Sequence, residues 1–325
     1  MLEVTNLTTD FLNGKQRIRA VDGVSFEVRP NEVLGLVGES GSGKSVTALS
    51  AMNLLSGNAT VSGSVRWNGA DVLTMSPDAH RQFLGRDVGM IFQNPLASLN
   101  PVFTIGSQLI ETIVLHQRVS TAQAKAIAVE LLTKVKIPDA LERLGDYPHQ
   151  FSLGMCQRIM IALTLAMKPR LIIADEPTAS LDVTIQAQVL ALLNGLRDDY
   201  QLSILLISHD LGIIAQVCDR ILIMYLGRIV ESGTPHQIFK SPAHPYTQAL
   251  IAAIPIPDPD LRSRPMVIAG DIPSPAHLPT GCRFHPRCPM VTEACRITDP
   301  ALELFSNGHL VACLRAHEWM EMMGD

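Results

Sequence analysis

Alternating and continuous apolar runs divide the chain before any motif is sought. Residues 1–32 alternate apolar and polar positions, at Leu2-Glu3-Val4 and Val24-Ser25-Phe26-Glu27-Val28, about a polar turn at Asn13-Gly14-Lys15. A period of two predicts half-buried strands, here an antiparallel β-layer. The layer continues from Val61 to Asp71, turning at Trp67-Asn68-Gly69. Phe11 either stacks on a base or fills core, since half-buried strands favour aromatics in any case. Val33–Val37, Val88–Phe92, Leu171–Ala174 and Ser203–Ser208 lack the polar alternate and predict buried strands, Leu171–Ala174 in the form of a parallel one. Helical spacing marks Val46–Leu55, and then residues 101–136, where Ile105, Leu109, Ile113, Ala128, Leu131, Leu132 and Val135 recur every three or four positions. A further helix is expected over Gln157–Met167, opened by Ser152-x-Gly154, and another runs to Leu196. Ile221–Glu231 predicts a hairpin turning at Leu226-Gly227. From Pro235 the prolines, including Pro242, Pro245, Pro255, Pro257, Pro259 and Pro265, interrupt all but one short helix near Tyr246–Ala253, which puts a boundary at residue 240.

Chemistry enters between the first buried strand and its helix. Gly38-Glu39-Ser40-Gly41-Ser42-Gly43-Lys44-Ser45 fits Gly-x-x-x-x-Gly-Lys-Ser, a phosphate-binding loop in its proper strand–loop–helix setting. Gly38, Gly41 and Gly43 let successive N–H groups approach an anion, Ser40 lies among them, Lys44 reaches the β- and γ-phosphates, and Ser45 a Mg²⁺ ion. Gln93 ends the strand Val88–Phe92, within reach of a metal or water. Asp175 and Glu176 end another, and two adjacent acids there are costly unless metal or hydrogen bonds compensate them. Asp175 is therefore expected to hold Mg²⁺ and Glu176 to polarise the attacking water. Ser152 and Gly154 begin a helix and form a second potential anion site. His209 stands at the tip of Ser203–Ser208, a candidate sensor of the γ-phosphate.

Composition narrows the partners. The 325 residues are 47% hydrophobic, enough for more than one domain. A net charge of -5 offers no global basic field, so nucleic acid is not expected as a partner. No apolar run approaches the roughly 18 residues of a membrane-spanning helix, and Met1-Leu2-Glu3 does not open a signal peptide, so any membrane role is expected to come through a partner.

By these residues the chain resembles the ATP-binding subunit of an ABC transporter over residues 1–235. The resemblance implies an α/β P-loop NTPase (ABC ATPase) fold with an antiparallel β-layer, a helical subdomain at residues 95–165, a nucleotide-binding domain at 1–240 and a small cysteine-containing extension at 241–325. It makes Gly38–Ser45 the Walker A motif, Gln93 the Q-loop, Leu171–Asp175 the Walker B motif with catalytic Glu176, Ser180-Leu181-Asp182 the D-loop and His209 the switch. ATP and Mg²⁺ are the implied ligands, with Mg²⁺ at Ser45, Gln93 and Asp175. Two such subunits dimerise head to tail, each ATP lying between one chain's Walker A and the other's signature, where Ser152 and Gly154 serve the γ-phosphate and Asp182 lies close by. Two positions depart from the pattern. Leu153 replaces the signature's first glycine, so this chain's signature is expected to weaken one of the two sites. Ile18 stands where an adenine-stacking aromatic is usual.

The tail narrows the resemblance. Ala243–Leu250 and Gly281–Pro289 are similar to the C-terminal extension of the dipeptide, oligopeptide and nickel importer subfamily, and most of all to its dipeptide type. The implied assembly is a bacterial importer with two transmembrane permease subunits, a second homologous ATPase subunit and a periplasmic or extracellular peptide-binding protein. This chain would lie peripherally on the cytoplasmic face of the inner membrane. Cys282, Cys288, Cys295 and Cys313 have a spacing unlike that of structural zinc. Four thiolates in a Pro- and Arg-rich loop too poor in apolar residues to pack unaided suit an iron–sulfur cluster, with zinc and free thiols left open. The resemblance also implies a 4Fe-4S cluster. Nickel, opine, glycoside or antimicrobial-peptide cargo is open too, as is a non-transport ABC ATPase with a redox- or iron-sensing tail.

Overall fold

The computed structural model describes residues 1–14, 16–55, 57–179, 181–254 and 270–323. Lys15, Ser180, Pro255, Pro257, Pro259 and Pro265 lie outside them. Among the described residues are twelve strands: β1 (Leu2–Asn13), β2 (Gln16–Val28), β3 (Val33–Val37), β4 (Ala59–Trp67), β5 (Ala70–Asp71), β6 (Val88–Ile91), β7 (Leu171–Asp175), β8 (Ser203–Ser208), β9 (Arg220–Tyr225), β10 (Arg228–Gly233), β11 (Glu303–Ser306) and β12 (His309–Val311). The chain divides into two compact units, one made of Met1–Val28, Glu32–Thr74 and Ile207–Asp325, the other of Arg29–Asn31 and Met75–Leu206.

The first unit holds the antiparallel layer, ordered β2-β1-β4-β5, and a second group of strands ordered β11-β12-β10-β9-β3. Alternation places Leu2, Val4, Val24, Phe26 and Val65 in the core, as a period of two requires. Phe11 pairs with Ile18 across β1 and β2, so the two side chains considered for base contact are direct neighbours. β3 is buried at every position and pairs parallel with β9, and β9 turns at Leu226-Gly227 into antiparallel β10. The second unit holds Ser203–Leu206 of β8, then β7 and β6, the last two parallel, with Val88–Ile91 beside Leu171–Ala174. Its helices include Ile105–Gln117, begun by a Thr104 side chain that accepts from Ser107 N–H, and Thr121–Lys134, begun by a capping box between Ser120 and Gln123. Ile105, Leu109, Ile113, Ala128, Leu131 and Leu132 are buried, the stripe that the helical spacing marks.

The structure corrects three local expectations. The signature helix spans Leu153–Ala166 instead of starting at Gln157, because Ser152 accepts from Met155 N–H and so caps it at once. Pro235 starts a helix instead of breaking one: it sits at the first turn of Pro235–Lys240, behind a Thr234–Gln237 capping box. The cysteine-bearing loop does pack. Phe284 is 2% exposed, and its ring meets Tyr225 edge-on at 5.3 Å and Tyr246 at 5.5 Å.

Candidate functional sites

In the first unit the loop Gly38–Ser45 leaves β3 and enters the helix Lys44–Ala51. Its glycines are required by space. A Cβ on Gly38 would lie 2.1 Å from the Met224 carbonyl oxygen, and Gly43, at φ +103°, would place one 2.5 Å from Ala20 O. No side chain caps the helix at Gly43. Lys44 is 5% exposed, and its Nζ donates to Gly38 O at 2.8 Å and Glu39 O at 3.0 Å, folded back over the loop. Ser42 Oγ is buried with no hydrogen-bond partner among the described residues. A cradle of backbone, an ammonium group and an unmatched hydroxyl fits a polyphosphate. Ser40, Gly41 and Ser45 lie within the same loop and first turn, Gly41 at φ +79°. His209 is exposed at the end of β8, next to Asp210, which caps the helix Leu211–Val217.

In the second unit Asp175 is the buried last residue of β7, and Glu176 follows at φ +46°. Left-handed backbone is uncommon for a residue other than glycine and turns the Glu176 side chain off the strand direction. Gln93 Nε2 donates to Glu176 Oε2 at 3.1 Å, so two of the sequence candidates meet. Elsewhere in this unit a cleft of about 480 Å³ is lined by Ser152, Leu153, Gly154, Met155, Asp182 and Ile185. Gly154 is the tight position here, since a Cβ on it would meet Ile185 Cγ2 at 2.9 Å. Leu153 is the first residue of an ordinary α-helix and carries no positive φ. The substitution therefore brings bulk to the cleft without backbone strain. Asp182 caps the helix Val183–Tyr200, accepting from Ile185 N–H at 3.0 Å. Its sequence neighbour Ser180 lies outside the described residues.

Cys282, Cys288, Cys295 and Cys313 line one small cavity of about 20 Å³ together with His244 and Phe284. Cys282 N–H donates to Cys295 O at 2.9 Å, which ties the two ends of the loop. Cys313 packs against a small core of Ala243, Val311 and Ala316. Burial pushes the Cys282 thiol up to about 11 and that of Cys313 up to about 12. It also holds His244 down to about 3, where Nδ1 accepts from Tyr246 N–H at 3.0 Å. Among the described residues no group of three or more His, Cys, Asp or Glu side chains is placed to hold a metal ion. The four thiols therefore surround a cavity instead of converging on one point.

Motif reading passes over the residues that fasten this loop. Arg283 and Arg287 lie between Cys282 and Cys288 and are buried at 9% exposure. Arg287 pairs with Glu39, and Arg283 with Asp22. Burial works to raise the Asp22 carboxyl, but Arg228, Arg283 and Arg19 together hold it below the usual carboxylate range. Two basic residues four apart in a loop hint at anionic partners, but nothing in the sequence says which.

Comparison with known proteins gives consistent matches. The ABC transporter family model matches residues 21–179, and the model for the oligopeptide/dipeptide transporter C-terminal region matches residues 230–295. The chain is 44% identical over 320 residues to the oligopeptide transport ATP-binding protein AppD of Bacillus subtilis, covering 98% of this chain and 97% of the relative. It is 46% identical over 303 residues to the dipeptide transport ATP-binding protein DppD of Haemophilus influenzae, covering 93% and 92%. Among solved structures, a dimeric ATP-binding cassette in a post-hydrolysis state with ADP and Pi superposes with a TM-score of 0.66 at 24% identity, covering 72% of this chain and 99% of that one. That last likeness concerns the fold.

Proposed function

The chain belongs to the ABC transporter ATP-binding subunits of the oligopeptide/dipeptide kind, and on that premise we propose that it hydrolyses ATP to drive import of di- or oligopeptides. The observation that carries this reading is likeness along nearly the whole chain, the C-terminal region included, to peptide-transport ATP-binding proteins. Glycoside, nickel, opine or antimicrobial-peptide cargo is the second reading, since cargo recognition belongs to other subunits.

Hydrolysis of a phosphoanhydride needs positioning and charge neutralisation more than covalent chemistry. Lys44 and the N–H groups of Gly41–Ser45 bind the phosphates and absorb developing charge. Ser45, Gln93 and Asp175 would hold Mg²⁺, which supplies further neutralisation at the phosphate oxygens. Glu176, steadied by Gln93, orients the attacking water, and His209 senses the γ-phosphate. Ser152 and Gly154 complete the site of a partner ATPase subunit, with Asp182 beside them. Closure of that dimer on ATP and its reopening after hydrolysis pass to two permeases through Gln93 and the helices of residues 95–165. A peptide-binding protein outside the membrane delivers cargo. No helix among the described residues is long and apolar enough to cross a membrane. We place the chain peripherally on the cytoplasmic face, held there by the permeases. We assign residues 1–240 to nucleotide binding and 241–325 to the extension.

The four thiols are soft ligands of the kind an iron–sulfur cluster takes, and their spacing departs from that of structural zinc, so a 4Fe-4S cluster is our reading, with zinc and free thiols as the alternatives. Such a cluster would staple Cys282, Cys288, Cys295 and Cys313 into one unit. An iron and sulfide assay on anaerobically purified protein tests it, and absence of iron removes it.

The transport reading is tested by tagging this chain in its native host and identifying what co-purifies from solubilised membranes. Two permeases with a second ATPase are expected. Recovery from cytosol without permeases would favour a sensor ATPase instead.

A further inference from the structure

The two arginines of the cysteine loop reach the nucleotide loop by separate routes. Arg287 Nη1 donates to Glu39 Oε2 at 2.8 Å and Nη2 to Oε1 at 3.2 Å, a two-pronged pair. Glu39 is the second residue of Gly38–Ser45. Its own N–H donates to Tyr246 Oη at 2.9 Å, so residues of the extension hold both its backbone and its side chain. The Arg287 guanidinium also lies 5.8 Å from the Tyr225 ring centre. Arg283 takes the other route. It donates to the Leu226 carbonyl, and the next residue, Gly227, donates its N–H to Ser42 O at 2.8 Å. Glu39 and Ser42 are thus both tied to the segment between Cys282 and Cys288.

This arrangement solves an electrostatic problem inside the loop. A cradle built to receive phosphates carries a carboxylate at its second position, and neighbouring like charges repel. A guanidinium fork both neutralises a carboxylate and fixes its direction, which a single ammonium cannot do. We propose that Arg287 is a positioning residue for nucleotide binding: it neutralises Glu39 and turns it away from the phosphate cradle, and so couples nucleotide affinity to the cysteine-bearing loop. The proposal rests on Gly38–Ser45 being the nucleotide site. Coupling of this kind is reciprocal, so nucleotide must also steady the cysteine loop.

The test is equilibrium titration of the full chain with a fluorescent ADP analogue. Arg287→Ala is expected to weaken binding about tenfold, within the usual range of coupling between sites. Adding Glu39→Gln to Arg287→Ala should restore most of the loss, because the unneutralised charge is then gone; a merely structural contact would not be rescued by removing its other half. Hydrogen exchange over residues 282–288 should slow when ADP binds the natural chain and not when it binds Arg287→Ala. Should Arg287→Ala fail to fold, Arg287→Lys keeps the charge without the fork and should bind several-fold more weakly than the natural chain. Undiminished binding by whichever of these variants folds, or no rescue by Glu39→Gln, overturns the inference. A natural chain that binds no ADP overturns the nucleotide reading itself, and the inference with it.

Discussion

Gln93 and Glu176, 83 residues apart in sequence, are joined by a hydrogen bond of 3.1 Å from amide to carboxylate. The strand ends of β6 and β7 make the meeting possible, since their parallel register brings Ile91 beside Ala174. Glu176 adopts left-handed backbone at this bond, the kind of strain that clusters at functional sites.

Glu176→Gln is expected nearly to abolish ATP turnover, by about 10²–10⁴-fold, the span of a lost general base, while nucleotide binding persists. Phosphate release and nucleotide titration on the same preparation separate the two effects. Glu176→Gly relieves the positive φ and should gain about 1 kcal/mol of stability as turnover falls, read as a raised melting temperature.

Gly43→Ala puts a methyl group 2.5 Å from Ala20 O at a φ of +103°. A cost of about 1–3 kcal/mol is expected, together with loss of nucleotide binding. Denaturant unfolding and titration check both.

Glu231 is fully buried and takes Ala243 N–H at 2.8 Å, His244 N–H at 3.0 Å and His309 Nε2 at 2.7 Å. Glu231→Ala leaves three groups unmatched and should cost about 3 kcal/mol or more. The loss should appear in the urea midpoint, and hydrogen exchange should rise first in residues 243–252 and 309–311.

Cys282 and Cys313 carry thiols pushed up to about 11 and about 12 from an ordinary value of 9.0. A raised folded value favours the neutral thiol, so its stabilisation is complete below pH 9.0 and is lost as pH climbs through 11 to 12. Metal-stripped, reduced protein should therefore show a falling urea midpoint between pH 9 and 11, and Cys282→Ser should flatten that fall. A flat profile in the natural chain would contradict the burial of these thiols.

Leu153 lines the cleft beside Asp182 without backbone strain. Leu153→Gly is expected to raise turnover of the assembled transporter several-fold and to cost no more than about 1 kcal/mol of stability. An unchanged rate would remove the idea that this signature weakens one site of the dimer.

Local chemistry made much of this protein legible in its sequence. Spacing of two and of 3.6, capping residues and glycines in a strand–loop–helix setting act over a few residues, so β3, β7, β8, the hairpin at Leu226-Gly227 and the loop Gly38–Ser45 follow from neighbours alone. Where local rules competed, they misled: Ser152 capped its helix at once, so it starts at Leu153 and not at Gln157, and Pro235 began a helix because a first turn needs no N–H there. Only the tertiary structure decided the rest. The single cavity shared by Cys282, Cys288, Cys295 and Cys313, the burial of Arg287 against Glu39 at a separation of 248 residues, and the anchoring of Phe284 on Tyr225 and Tyr246 all depend on long-range pairing. A buried charge or ring declares a need for a partner, but its identity is set by which surfaces the folded chain brings together.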